Sequence, residues 1–228
     1  MTYTLTRSKR KTVAIHICDG FVEVRAPLGM PQRTIDEFIA LKENWIKKHL
    51  TRSSQQLVNR DNFSLNYGDV VYILSTPYII TGSNTKRKKS DLPAFGPNNE
   101  FYIPSGLNHD KIKKACIDTY RKTASLLLIP QTLKLADKLQ VTPGEIKVTG
   151  AKSRWGSCSA NKNISYSWRL LMADEDAVDY VIFHELAHII EMNHSKKFWE
   201  IIERYVPDYK ECKKRLKALQ NKLSNENW

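Results

Sequence analysis

The sequence predicts an α+β protein, and three features carry that prediction. Strand-like pattern marks residues 12–26 and returns from Ser64 to about Ile103, broken by Gly and Pro. Helical periodicity takes over after Ser105-Gly106, and the last third keeps it in three segments. With 228 residues, 41% of them hydrophobic, the chain can bury one large core or two small ones. The change of pattern divides it into a β-rich N-terminal region with one helix, 1–107, and a second domain, 108–228.

In order, residues 12–17 (TVAIHI) and 21–26 (FVEVRA) alternate around Asp19-Gly20, a hairpin signal. Thr34 and Glu37 match a capping box, with Thr34 as N-cap. The helix it opens carries Ile35, Phe38, Ile39, Leu41, Trp45 and Ile46 at helical spacing, with Trp45 read as core. "DVVYIL", "YIITG" and "EFYIP" read as strands. Residues 109–140 read as a long helix that Pro130 must kink or divide. "TPGE" at 142–145 is a turn, flanked by strands at 146–148 and 164–168. Helices are expected over 175–192, about 196–205 and 208–223.

Composition narrows the class. No apolar run approaches the ~18 residues of a membrane span. The basic N-terminus lacks a signal-peptide pattern, because its apolar stretch is interrupted by His16 and followed by Asp19. The four cysteines are scattered, with no C-x-x-C pair, which suits reduced thiols and a cytoplasmic protein. The formal net charge of +12 divides evenly between residues 1–107 and 108–228. Lys86–Lys89 reads as a solvated basic loop, so nucleic acid as a partner has only a diffuse basic excess behind it.

Three of the six histidines lie within residues 184–194. His184-Glu185-Leu186-Ala187-His188 fits H-E-x-x-H, which a chain of this His and Glu content produces by accident about 1% of the time, so context decides. Asp174 is a plausible N-cap, with Glu175 and Asp176 in the first turn. Val178, Ile182 and Ile189 share a face that can pack into the core. One turn apart, His184 and His188 can converge on one Zn²⁺, while Glu185 points roughly 100° away, beside the metal's open side. His194 supplies a third ligand if the chain turns at Met192 or Asn193. Three imidazoles and one water make a catalytic zinc site, whereas Cys158 as a fourth ligand would close it.

Those residues resemble the YgjP-like zinc metallopeptidase family, a zincin group related to the WLM and SprT-like proteins. The matching stretches are "KSRWGSCS" (152–159), "VDYVIFHELAH" (178–188), "HSKKFW" (194–199) and "PDYK" (207–210). Weaker matches at 10–27 and 35–50 extend the resemblance over most of the chain. It implies a zincin-like catalytic domain over 108–228, one Zn²⁺ per chain on His184, His188 and His194, and Glu185 as catalytic carboxylate. Glu191 stands where metzincins place Gly. Phe198 and Trp199 read as packing behind the metal helix. Trp155 and Cys158 read as core, and Gly156 as a site of close backbone approach.

The expected chemistry is hydrolysis by a zinc-activated water with Glu185 as general base, and a polypeptide as the first substrate class. Arg154 and Ser157 are candidate substrate contacts or structural groups, while Arg154, Tyr166 and Tyr205 are alternative oxyanion donors. Substrate can add as a strand near 153–168. The rival is phosphoanhydride hydrolysis of a nucleotide, an activity also attributed within the resembled family. It lacks a Gly-rich phosphate loop and a carboxylate cluster for Mg²⁺ here.

Overall fold

The structure, a computed structural model, describes residues 2–83, 96 and 98–228. The basic run Lys86–Lys89 lies outside the described residues. No described helix is long and apolar enough to cross a membrane. The change from strands to helices at 107/108 is a change of element type. By compactness the chain forms one unit of residues 1–63 with 222–227, and another of 64–221 with Trp228.

In the first unit, β1 (Thr4–Ser8), β2 (Ala14–Cys18) and β3 (Phe21–Pro27) form a sheet of order β1-β3-β2. The β2–β3 hairpin turns through Asp19 and Gly20 at φ 49° and 77°, the left-handed pair that suits a two-residue turn. Alternate residues Val22, Val24 and Ala26 of β3 face inward and pack with Ile35, Ile39 and Ile46. Those last three come from α1 (Gln32–Leu41) and α2 (Glu43–Asn62).

Two expectations are corrected here. Thr34 lies inside α1, which starts at Gln32 with Pro31 in the N-cap position and no side-chain cap bond. Trp45 is 44% exposed and stacks on His49 on the outer face of α2, because Ile46 takes the inward position. The chain also breaks at Lys42, whose N–H reaches the carbonyls of Phe38 and Ile39 and tightens the last turn of α1.

The second unit opens with β4 (Val70–Ile73), β5 (Thr76–Ser83) and β6 (Glu100–Pro104), β5 pairing antiparallel with β4 and parallel with β6. Then α3 runs unbroken from His109 to Leu139, with Asn108 as its cap. Pro130 neither kinks it into two nor ends it. It sits on the exposed face, and the carbonyl deprived of a donor belongs to Leu126, itself 57% exposed, so water can replace the lost bond.

A third small sheet of order β7-β9-β8 joins Ile146–Thr149 (β7), Gly156–Cys158 (β8) and Ile164–Ser167 (β9). A 3-10 turn, Trp168–Met172, leads on to α4 (Glu175–Ile190), α5 (Lys196–Tyr205) and α6 (Tyr209–Leu223). Tyr120 of α3 stacks on Trp168, and its hydroxyl donates to the Tyr72 carbonyl while accepting from the Tyr72 N–H. Arg169, nearly buried, donates to the carbonyls of Gly150 and Trp228. These contacts tie α3, β4, the 3-10 turn and the residue after β7 to one another.

Candidate metal centre

Helix α4 is built to hold its position. Asp174 caps it, accepting from the Ala177 N–H at 3.0 Å, and Arg215 of α6 forks onto both Asp174 oxygens at 2.9 Å. Burial works to raise the Asp174 carboxyl, but the Arg215 bond and the Ala177 N–H outweigh it and hold the group below its usual range. Val178 and Ile182 are buried as expected, and Ile189 is half-buried.

On the neighbouring face His184 and His188 stand one turn apart, and the chain brings His194 to them. The helix closes at Glu191 in extended backbone, φ −138°, and no described residue from 191 to 194 is left-handed. The expected turn at Met192 or Asn193 is therefore corrected to Glu191. Its carbonyl lies 3.2 Å from His188 Nδ1 and its side chain accepts from the Asn193 N–H. Ser195 then caps α5, which fixes the direction of the chain just after His194.

One donor nitrogen from each of the three imidazoles lies within 4.8 Å of the others, and Nε2 of His184 and His194 are 3.1 Å apart. Two nitrogens bonded to one tetrahedral Zn²⁺ at ~2.0–2.1 Å stand roughly 3.3 Å apart. The donor set therefore fits that ion. Burial, and then the neighbouring imidazoles, push His184 down to about 3, and burial also lowers His188. Both rings are thus neutral at ordinary pH, the form that ligates. Cys158 is not among the converging donors, so the closed four-ligand alternative has no thiolate to close it.

The surroundings orient the rings. The Tyr180 hydroxyl lies 3.4 Å from His184 Nδ1, leaving Nε2 to face the centre. Phe198, fully buried, packs against all three imidazoles at 4.7–4.9 Å between ring centroids, and Trp199 stacks on His194. Both aromatics thus pack behind the centre, as their position in the sequence suggests.

Glu185 leaves α4 on the side of β8. It is only 5% exposed, accepts from the Cys158 N–H, and is pushed up to about 7 by burial, against the pull of Arg154. The close approach expected at Gly156 is to this side chain. A β-carbon there would lie 2.7 Å from Glu185 Cγ and Oε1. Beside Glu185 and His184 opens a cavity of about 470 Å³, with Arg154, Trp155 and Tyr180 in its walls.

The remaining candidates divide. Arg154 lines the cavity, and Ser157 instead faces Ser165 across the β8–β9 pair at 3.5 Å. Tyr166 is fully buried, its hydroxyl bonded to Thr132 of α3, so it cannot reach a substrate. The Tyr205 hydroxyl donates to the Lys138 carbonyl at 3.2 Å, and its ring stacks on Phe183. Trp155 and Cys158 are half-buried rather than core, since β8 is an edge strand of its sheet. Sequence reasoning missed Tyr180, although its place four residues before His184 puts it on the same helical face.

The family profile of the YgjP-like metallopeptidase domain matches residues 11–219. The chain belongs to that family. It is accordingly a metallopeptidase-family hydrolase, and its imidazole triad suits the metal, usually zinc, that such enzymes use. No curated protein matches this YgjP-like chain significantly. Among solved structures it is similar to the metallopeptidase zymogen jannalysin of Methanocaldococcus jannaschii, at 24% identity and TM-score 0.36, over 41% of this chain and 94% of that one. The zymogen abylysin of Pyrococcus abyssi is similar at 21% identity and TM-score 0.38, over 44% and 98% respectively.

Proposed function

We propose that this protein is a zinc-dependent peptidase that holds one Zn²⁺ on His184, His188 and His194 and uses Glu185 as general base. The observation that carries the reading is the convergence of three imidazole nitrogens beside a buried carboxylate that borders an open cavity. Zinc bound there supplies Lewis acidity towards the scissile carbonyl and lowers the pKa of water. A Glu185 carboxylate oxygen takes the proton of the attacking water and passes it to the leaving amine nitrogen. A carboxyl near neutrality suits both halves of that transfer, and the Cys158 N–H fixes its direction. Arg154, in the cavity wall, is the remaining candidate of three for steadying the developing oxyanion. An extended substrate can pair with the free side of β8, which brings its backbone alongside Glu185.

The nucleotide reading gains no specific support, because among the described residues no carboxylate cluster accompanies the imidazoles. The deciding experiment measures zinc content and turnover of an unstructured polypeptide by wild type, Glu185→Gln and His194→Ala. Glu185→Gln should keep its zinc and lose at least ~10²-fold in kcat, in line with loss of a general base. His194→Ala should lose zinc and activity together. Full turnover by zinc-loaded Glu185→Gln would remove the assignment.

A further inference from the structure

Beyond Glu185 and Arg154, the cavity has a composition that the catalytic reading does not use. One wall is a face of α6, where Lys213, Leu216, Lys217 and Gln220 recur at helical spacing. Gln220 donates to the Lys152 carbonyl at 2.9 Å, tying that face to the segment that carries Arg154. Three cations, Arg154, Lys213 and Lys217, therefore border one space of about 470 Å³, enough for one or two side chains.

Their partners are the informative part. Among the described residues the only carboxylate lining the cavity is Glu185, which is nearly buried and committed to the chemistry. Neighbouring acids are engaged elsewhere, Asp174 and Asp176 with Arg215 and Glu211 with Lys214. Lys213 lies over the Trp199 ring at 4.7 Å, and Arg154 attracts Glu185 without an ion pair or side-chain hydrogen bond among the described residues, as Lys217 also lacks both. Trp155, Val181 and Leu216 supply apolar wall between the cations.

We infer that this cavity selects peptide substrates that present a carboxylate beside the scissile bond, received by Arg154, Lys213 and Lys217. The inference rests on the peptidase reading above and adds the substrate class. Apolar wall receives the methylenes of an acidic side chain or the last residue of a peptide, and the cations meet its carboxylate. A substrate lysine at the same place faces three like charges. A phosphate chain would satisfy the cations but not the apolar wall, and no Gly-rich loop of backbone N–H groups is present in the sequence to cradle it.

The test uses the zinc-loaded full chain and fluorogenic peptides of one length that carry Glu, Gln or Lys next to the cleaved bond. Each is made with a free or an amidated C-terminus, and ATP is assayed in parallel. Glu should exceed Gln by about tenfold in kcat/KM, Lys should be lowest, and added salt should compress the range, as for partly exposed charges. If the preference follows the free terminus rather than the side chain, the selected carboxylate is the terminal one. Lys217→Glu should invert the Glu-to-Lys ratio, and Lys217→Gln should fall between. Equal turnover of Glu, Gln and Lys peptides, or an unchanged ratio in Lys217→Glu, overturns the inference while leaving the peptidase reading in place. Turnover of ATP with no peptide cleaved overturns both.

Discussion

A methyl group added at Gly156 would sit 2.7 Å from two atoms of Glu185 and 2.9 Å from a third, closer than real side chains pack. The backbone of Gly156 is not in the left-handed region, so the constraint is contact and not conformation. Gly156→Ala should displace the Glu185 carboxylate by a few tenths of an ångström or more without touching the histidines. A fall of about 10²-fold in kcat with zinc content unchanged is the expected result, since small misplacements of a catalytic group cost that much. Metal analysis beside single-turnover kinetics checks it, and wild-type rates would show that Glu185 can give way. The need for a glycine was legible in "RWGSC", but its cause was not. The close partner lies 29 positions away, and only the packing of α4 on β8 brings them together. Tyr166 failed in the opposite sense. Its strand alternates, but which face meets α3 depends on Thr132, a contact no local pattern encodes.

Elements whose ends carry their own chemistry were the easiest to read, and α4 is the best case. Asp174, Glu175 and Asp176 announce a helix start, and the structure adds the Arg215 fork that locks it. Elements set by distant partners were not read: β1 pairs in parallel with β3, and β8 has three residues. The ionised Asp174 is favoured by folding, so its contribution is present above the ordinary carboxylate pKa of ~3.9 and disappears as pH falls through its lowered folded value. Asp174→Ala should therefore cost about 1–2 kcal/mol at neutral pH, the range for a lost helix cap, with the partly exposed Arg215 pair adding little. The difference from wild type should shrink towards pH 3. Denaturant unfolding at several pH values measures it, and a gap that stays constant down to pH 3 would assign the loss to packing.

At the scale of the whole molecule, composition and periodicity conveyed two kinds of structure but not where compactness divides the chain. Local pattern cannot report that residues 222–227 return to the first unit, where Gln56 and Arg60 of α2 bond Ser224. It did convey that the candidate metal centre is local in sequence. All three imidazoles lie between the last turns of α4 and the start of α5, within the second unit. The first unit has its own core of Val22, Val24, Ala26, Ile35, Ile39 and Ile46. Metal binding stabilises only what unfolds with the site, by ~4 kcal/mol when free zinc is a thousandfold above its Kd. Removing zinc with a chelator should therefore speed amide hydrogen exchange strongly across residues 184–199, by up to about 10³-fold where opening is local. Amides of β2, β3 and α1 should change little. Hydrogen-exchange mass spectrometry with and without chelator tests this, and an equal rise in both units would mean that the centre supports the whole chain rather than its own helices.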